Sequence, residues 1–98
     1  MTEEITWHLE KRLIKDLKPH PKNPRKMSNH DAQMLKKSID EDGLIDKPCI
    51  DLHNQLIGGH QRIQILKQMR RKEVEVWVPS RELTDQEISR INLRLNRS

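Results

Sequence analysis

Phenylalanine and tyrosine are absent from this sequence, and its only aromatic residues are Trp7 and Trp77. That excludes a bulky aromatic core and argues against the stacking platforms on which single-stranded nucleic acids are held. One cysteine, Cys49, excludes an internal disulfide and any multi-cysteine metal site. No run approaches the roughly 18 apolar residues of a membrane span. The opening MTEEITWHLEKR has no apolar centre of the kind a signal peptide needs. These absences together predict a soluble, intracellular, cytoplasmic protein. Glycine is scarce as well: of three in the chain, two stand side by side at Gly58 and Gly59.

What the chain does have is charge. Of 98 residues, 35% are charged and 33% hydrophobic, which leaves enough for one small aliphatic core and no room for a second domain. The net charge of +4 favours an anionic partner, a nucleotide or a nucleic acid. A core this small would gain from a second copy, so a homodimer is expected.

The patterning is that of an α+β protein. Residues 5–9, ITWHL, alternate as an edge strand would, and three prolines between Pro19 and Pro24 stiffen the loop that follows. Ser28 or Asn29 is placed to cap a helix whose buried face holds Ala32, Leu35 and Ile39 and which Gly43 ends. KPCIDL (47–52) and QLIG (55–58) read as an antiparallel pair around a turn at 53–54. From His60 to about Arg71 the pattern is helical, and EVEVWVP (73–79) alternates as a strand, Val74, Val76 and Val78 on one side. Thr84 and Glu87 have capping-box spacing before a last helix with Ile88, Ile91 and Leu95 inward and Arg90, Arg94 and Arg97 on another face. The expected architecture is a small mixed sheet with about three helices, in which strand 55–58, helix 60–71 and strand 73–79 form a βαβ unit. Residues 1–98 are read as one domain, the N-terminal piece of a longer protein.

Two glycines between a strand and a helix bare backbone amides at the helix start, where the helix dipole welcomes an anion and no Cβ blocks a phosphate oxygen. Arg62, on the first turn, can make a two-pronged contact to phosphate, with His60 and Gln61 as further donors. Such turns also carry glycines for tight packing alone, and the local pattern does not choose between the two.

Three stretches in order narrow the choice: Asn23-Pro24-Arg25, then Ser38-Ile39, Gly43-Leu44 and Pro48, then Gly59-His60-Gln61-Arg62. Over residues 13–97 they resemble the ParB/sulfiredoxin superfamily, in particular the ParB-like N-terminal domain, whose Gly-Glu-Arg-Arg box falls on Gly59–Arg62. The resemblance implies a nucleotide site, CTP in the partition proteins or ATP in the sulfiredoxin branch, with Mg²⁺. Its phosphates would lie on Gly58, Gly59, His60, Gln61 and Arg62, assisted by Asn23 and Arg25. It also implies an asparagine on a later helix for phosphates and metal: Asn96, or failing that Asn92. This chain departs from the box at His60 and Gln61, which leaves fewer charges for a triphosphate. Where sulfiredoxins carry a catalytic cysteine stands His60, with Cys49 offset on the preceding strand, so sulfinic-acid reduction is not expected.

The resemblance implies a nucleotide-binding, DNA-associated switch or module, from a phage, plasmid or chromosomal gene. Lys22, Lys26, Lys67, Arg70 and Arg71 would contact a nucleic-acid backbone, although cations at a helix C-terminus also suit its dipole. One alternative is a Mg²⁺-dependent nuclease or phosphotransferase with His60 as acid or base, for which no acidic metal cluster is evident. Another is a docking or specificity domain of a larger DNA-modifying protein whose nucleotide pocket has decayed. His8, His20, His30 and His53 are scattered, without metal-ligand spacing, and read as solvated.

Overall fold

The computed structural model describes residues 4–20 and 26–95. Strand β1 (Trp7–Leu13) is followed by a single 3-10 turn at Ile14–Asp16. Helix α1 (Asn29–Asp42), strands β2 (Cys49–Ile50) and β3 (Leu56–Gly58), helix α2 (His60–Gln68), strand β4 (Glu73–Pro79) and helix α3 (Asp85–Leu95) complete the order. Among the described residues, three helices and a four-stranded mixed sheet make the α+β fold expected. The strand at the N-terminus does lie at an edge, but it runs to Leu13 and not to residue 9, because β4 offers it a partner over its full length.

The sheet order is β1-β4-β2-β3. The parallel neighbours are β2 and β4, joined where the Trp77 amide donates to the Pro48 carbonyl at 2.8 Å. This corrects the expected βαβ unit. Strand β3, which leads into α2, lies antiparallel to β2 at the far edge, and β2 separates it from β4. The reading assumed that strands flanking a helix are neighbours. Instead, the tight hairpin at 51–55 folds β3 back beside β2 and leaves the centre to β2. Buried Asp51 holds that hairpin, its Oδ1 accepting from the His53 amide at 2.8 Å and the Gln55 amide at 3.0 Å.

Both faces of the sheet are covered at β2 and β3. Ile50 and Leu56 join Val74, Val76 and Val78 beneath α1 and α2, packing on Ile39, Ile63, Ile65 and Leu66. Cys49 and Ile57 point the other way, toward Leu83 and the Ile88 and Ile91 of α3. Ile50, Ile57, Ile65 and Val76 have no exposed surface. Each such side chain contributes about 1.5–3 kcal/mol by leaving water.

The helix ends show how local chemistry fixed the boundaries. Ser28 caps α1, its hydroxyl accepting from the Asp31 amide at 3.1 Å, and Gly43 closes it at φ 78°. The capping box of α3 is reciprocal, Thr84 and Glu87 each accepting the other's amide at 3.1 and 3.0 Å. Helix α2 stops at Gln68, short of the expected Arg71. Arg70 adopts φ 60°, so that its amide reaches the Lys67 carbonyl and that of Arg71 the Leu66 carbonyl. This is a Schellman closure with an arginine where glycine is usual, and so it carries no sequence signature.

On α3 the inward face is also different from the reading. Leu95 is half exposed, whereas Glu87 and Asn92 are buried. Glu87 receives a two-pronged contact from Arg81 at 2.7 and 3.0 Å, and this guanidinium, with the Thr84 amide, pulls its carboxyl down to about 2. Arg97 lies outside the described residues. Among the described residues no helix is long and apolar enough to cross a membrane.

Candidate anion-binding site

The turn between β3 and α2 carries the polar features that the sequence singled out. Gly59 is the N-cap of α2 in the left-handed region, φ 87° and ψ 19°. Its N-cap, a glycine, provides no side-chain cap, and no acidic residue stands in its first turn. The first-turn amides of an α-helix have no intrahelical acceptor. Here Gly59, His60, Gln61 and Arg62 present them at the positive end of the dipole. The other two helices close the same end with Ser28 or with the Thr84–Glu87 box.

The two glycines serve different ends. A Cβ on Gly59 would lie 2.8 Å from the backbone Cα of Pro48, so only glycine lets the turn press onto β2. A Cβ on Gly58 would lie 2.5 Å from Leu95 Cδ1. Gly58 is itself buried, and its bare Cα seats the end of α3. The packing explanation, left open by the sequence, thus accounts for Gly58, while Gly59 combines packing with an open helix start.

His60 is only 7% exposed although it begins a helix. Its Nε2 accepts the backbone N–H of His20 at 3.0 Å, which ties the proline segment to the turn. Its Nδ1 is buried and has no hydrogen-bond partner among the described residues. Burial, and secondarily the His20 ring, lower its pKa, so the ring is neutral near pH 7. Arg62 is partly exposed and its Nη2 lies 3.1 Å from Oδ2 of Asp46, an exposed carboxylate. Such a surface pair is worth about 0–1 kcal/mol and gives way readily to a doubly charged phosphate.

Other sequence candidates lie elsewhere. Lys67, Arg70 and Arg71 are exposed at the C-terminal end of α2, roughly 13 Å of helix away from the turn at 1.5 Å per residue. Lys26 is exposed ahead of α1. Lys22, Asn23, Arg25 and Asn96 lie outside the described residues. Asn92 is not presented to a ligand: its Nδ2 donates to the Ile57 carbonyl at 2.7 Å, pinning α3 to β3. Among the described residues no three or more His, Cys, Asp or Glu side chains form a metal-binding group. Nothing local marks His20 or Asp46 as site residues, because their contacts with His60 and Arg62 cross 40 and 16 positions. Pro48, the floor under Gly59, was marked only as part of a motif.

Cys49 is buried beside Asp51, and desolvation first, then that carboxylate, push its thiol up to about 12. With so little thiolate it should resist a disulfide-exchange reagent by roughly a hundredfold or more relative to a free cysteine. A full equivalent should react once the chain is unfolded in denaturant. Rapid modification of the native protein at pH 8 would contradict this environment.

The ParB N-terminal domain model matches residues 3–97 of this chain. A Pnob8-like ParB-N domain superimposes with a TM-score of 0.79 at 25% identity, over 97% of this chain and 39% of that one. The C-terminally truncated chromosome-partitioning protein ParB from Caulobacter crescentus, complexed with CTP-gamma-S, gives 0.76 at 23% identity, over 93% and 54%. The same protein complexed to the centromeric parS site gives 0.68 at 21% identity, over 89% and 46%. The chain therefore spans from about two fifths to about half of these longer chains. No curated protein matches it.

Proposed function

Because the chain belongs to the ParB N-terminal domain family, we propose that it binds a nucleoside triphosphate, CTP or ATP, with the phosphates on the Gly59–Arg62 turn. The observation that carries this reading is the start of α2, where the N-cap is a left-handed glycine without a capping side chain and the first turn holds no acid. The amides and dipole hold the phosphate oxygens, Arg62 leaves Asp46 to neutralise them, and Gly59 allows the close approach. Asn23 and Arg25, together with Asn96 and Mg²⁺, are assigned to the same phosphates from the family pattern alone. CTP is the first nucleotide to test, given the CTP-gamma-S complex of the Caulobacter protein. The work proposed for the bound state is a switch in DNA association.

Calorimetric titration of CTP, ATP and GTP with Mg²⁺ tests this. Wild type is expected to bind CTP or ATP, and Arg62→Ala to bind it roughly 10- to 100-fold more weakly, the worth of a charged hydrogen bond. Equal, negligible binding by both proteins would remove nucleotide from the account and favour a docking domain with a decayed pocket. The nuclease or phosphotransferase reading finds no support among the described residues, which offer no metal-binding group. DNA contact through Lys67, Arg70 and Arg71 is favoured by the exposure of all three.

A further inference from the structure

We propose that the outer edge of β1 pairs antiparallel with the same edge of a second copy, about a two-fold axis at Leu9, joining two sheets into one. Strand β1 ends the sheet order, and its register with β4 runs unbroken from Trp7↔Pro79 to Leu13↔Glu73. Just beyond those limits the Ser80 amide donates to the Thr6 carbonyl at 2.8 Å, and the Ile14 amide to the Lys72 carbonyl at 2.9 Å. Facing residues of an antiparallel pair alternate between hydrogen-bonded and not. Residues 6, 8, 10, 12 and 14 therefore bond β4, while Trp7, Leu9, Lys11 and Leu13 turn their N–H and C=O groups outward. Trp77 agrees with this parity: it stands opposite Leu9, and its amide turns away to Pro48. Among the described residues no strand pairs with the outward side. Edge strands are commonly shortened, bulged or broken by proline, yet β1 runs for 7 residues with neither bulge nor proline.

The side chains decide what lies there. The longest antiparallel self-pairings of β1 have their axes at Leu9, Glu10 or Lys11. An axis at Glu10 sets two carboxylates opposite each other, and one at Lys11 sets two ammonium groups opposite, both destabilising. The Glu10–Arg12 pairs gained at Lys11 offset little, since those charges already meet within one strand at 2.7 Å. An axis at Leu9 opposes no like charges. Leu9 meets Leu9, His8 faces Glu10, and Lys11 crosses to the Trp7 ring of the second copy, a cation over an aromatic face. Leu9 is 40% exposed and its β4 neighbour Trp77 38%. Joined, they form one apolar row from Trp77 of one copy to Trp77 of the other. One patch supplies both halves of the contact, which favours a second copy over a foreign strand. The opposite edge is β3, which leads into the Gly59 turn, so the joint leaves that turn open in both copies. The pairing does not depend on what the turn binds.

Without nucleotide, the 98-residue chain should form dimers in sedimentation equilibrium. The joint is one strand wide, smaller than the roughly 1,200–2,000 Å² of stable interfaces, so a Kd between about 10 µM and 1 mM is expected. At about 90% dimer the Leu9 and Lys11 amides should exchange roughly tenfold more slowly than in the monomer, because only the remaining monomer exposes them. The His8 and Glu10 amides, bonded to β4 in both states, should change far less. Proline is tolerated on an edge where its missing N–H faces outward. Leu9→Pro should therefore still unfold cooperatively in urea while dimerising roughly tenfold or more weakly, whereas His8→Pro loses a bond to β4 and should destabilise the monomer. Leu9→Lys, which sets two ammonium groups on the axis, should weaken the dimer as Leu9→Pro does. In a sample mixed from labelled and unlabelled chains, the axis at Leu9 requires an intermolecular NOE from His8 Hα to Glu10 Hα. A monomer at about 1 mM, a dimer with an unprotected Leu9 amide, or Leu9 variants that dimerise like wild type overturn the proposal. A Glu10–Glu10 or Glu10–Arg12 Hα contact overturns the axis. Leu9 protection independent of concentration would put a segment of the same chain on the edge, and equally overturns the pairing.

Discussion

Gly59→Ala is expected to lower the unfolding free energy by about 2–5 kcal/mol, the sum of a left-handed backbone penalty and an overpacked contact. The first part follows from φ 87°, which alanine adopts only at a cost of about 1–2 kcal/mol. The second follows from Pro48, whose Cα would stand 2.8 Å from the new methyl. Neither atom can swing aside, because Pro48 is buried and its carbonyl is held by the Trp77 amide. The turn must lift from β2, which would also tilt the amides of the anion site. Gly58→Ala should cost less, since its neighbour Leu95 is half exposed and near the helix end, where it can shift. Urea unfolding monitored by tryptophan fluorescence ranks the two variants. Gly58→Ala proving the more damaging would contradict the account of which glycine the turn depends on.

How much of this was legible in the sequence depended on whether the cause was local. Strand β4 was read to the residue because only one of its faces is buried, so Val74, Val76 and Val78 alternate with Glu73, Glu75 and Trp77. Ser28, Gly43 and the Thr84–Glu87 box marked helix ends because each acts within four positions of itself. Strands β2 and β3 are buried on both faces, so their apolar residues run together and say nothing of their neighbours. That is why the pairing of β2 with β4 was missed. Arg70 hid the end of α2 by taking a conformation normally given to glycine. Within the site, the glycine pair and Arg62 announced the turn. The reasons for the pair lay at Pro48 and Leu95, which only the folded chain brings near.

Asn92 provides the sharpest separation between a residue that binds and a residue that builds. By type and by place on a late helix it could be read as a phosphate or metal ligand. In the fold its amide donates to the Ile57 carbonyl and 7% of its surface is exposed. Ile57 has no exposed surface, so water cannot replace the lost donor. Asn92→Ala is therefore expected to cost about 1–3 kcal/mol, the penalty of an unsatisfied buried carbonyl. Asn92→Asp keeps the shape and sets a carboxylate against that carbonyl, and should cost more than Asn92→Ala at neutral pH. Part of that loss should return as the pH falls, because the protonated acid regains an O–H donor; a raised pKa in the folded state gives stability that is greatest below the unfolded value. Urea titrations at pH 7 and pH 4.5 measure both effects. The folded fraction of Asn92→Ala should bind the same nucleotide as wild type within about twofold, since RT is near 0.6 kcal/mol and no ligand contact has been removed. Full stability with abolished binding would instead make Asn92 the ligand, and would require α3 to release β3 whenever the site fills.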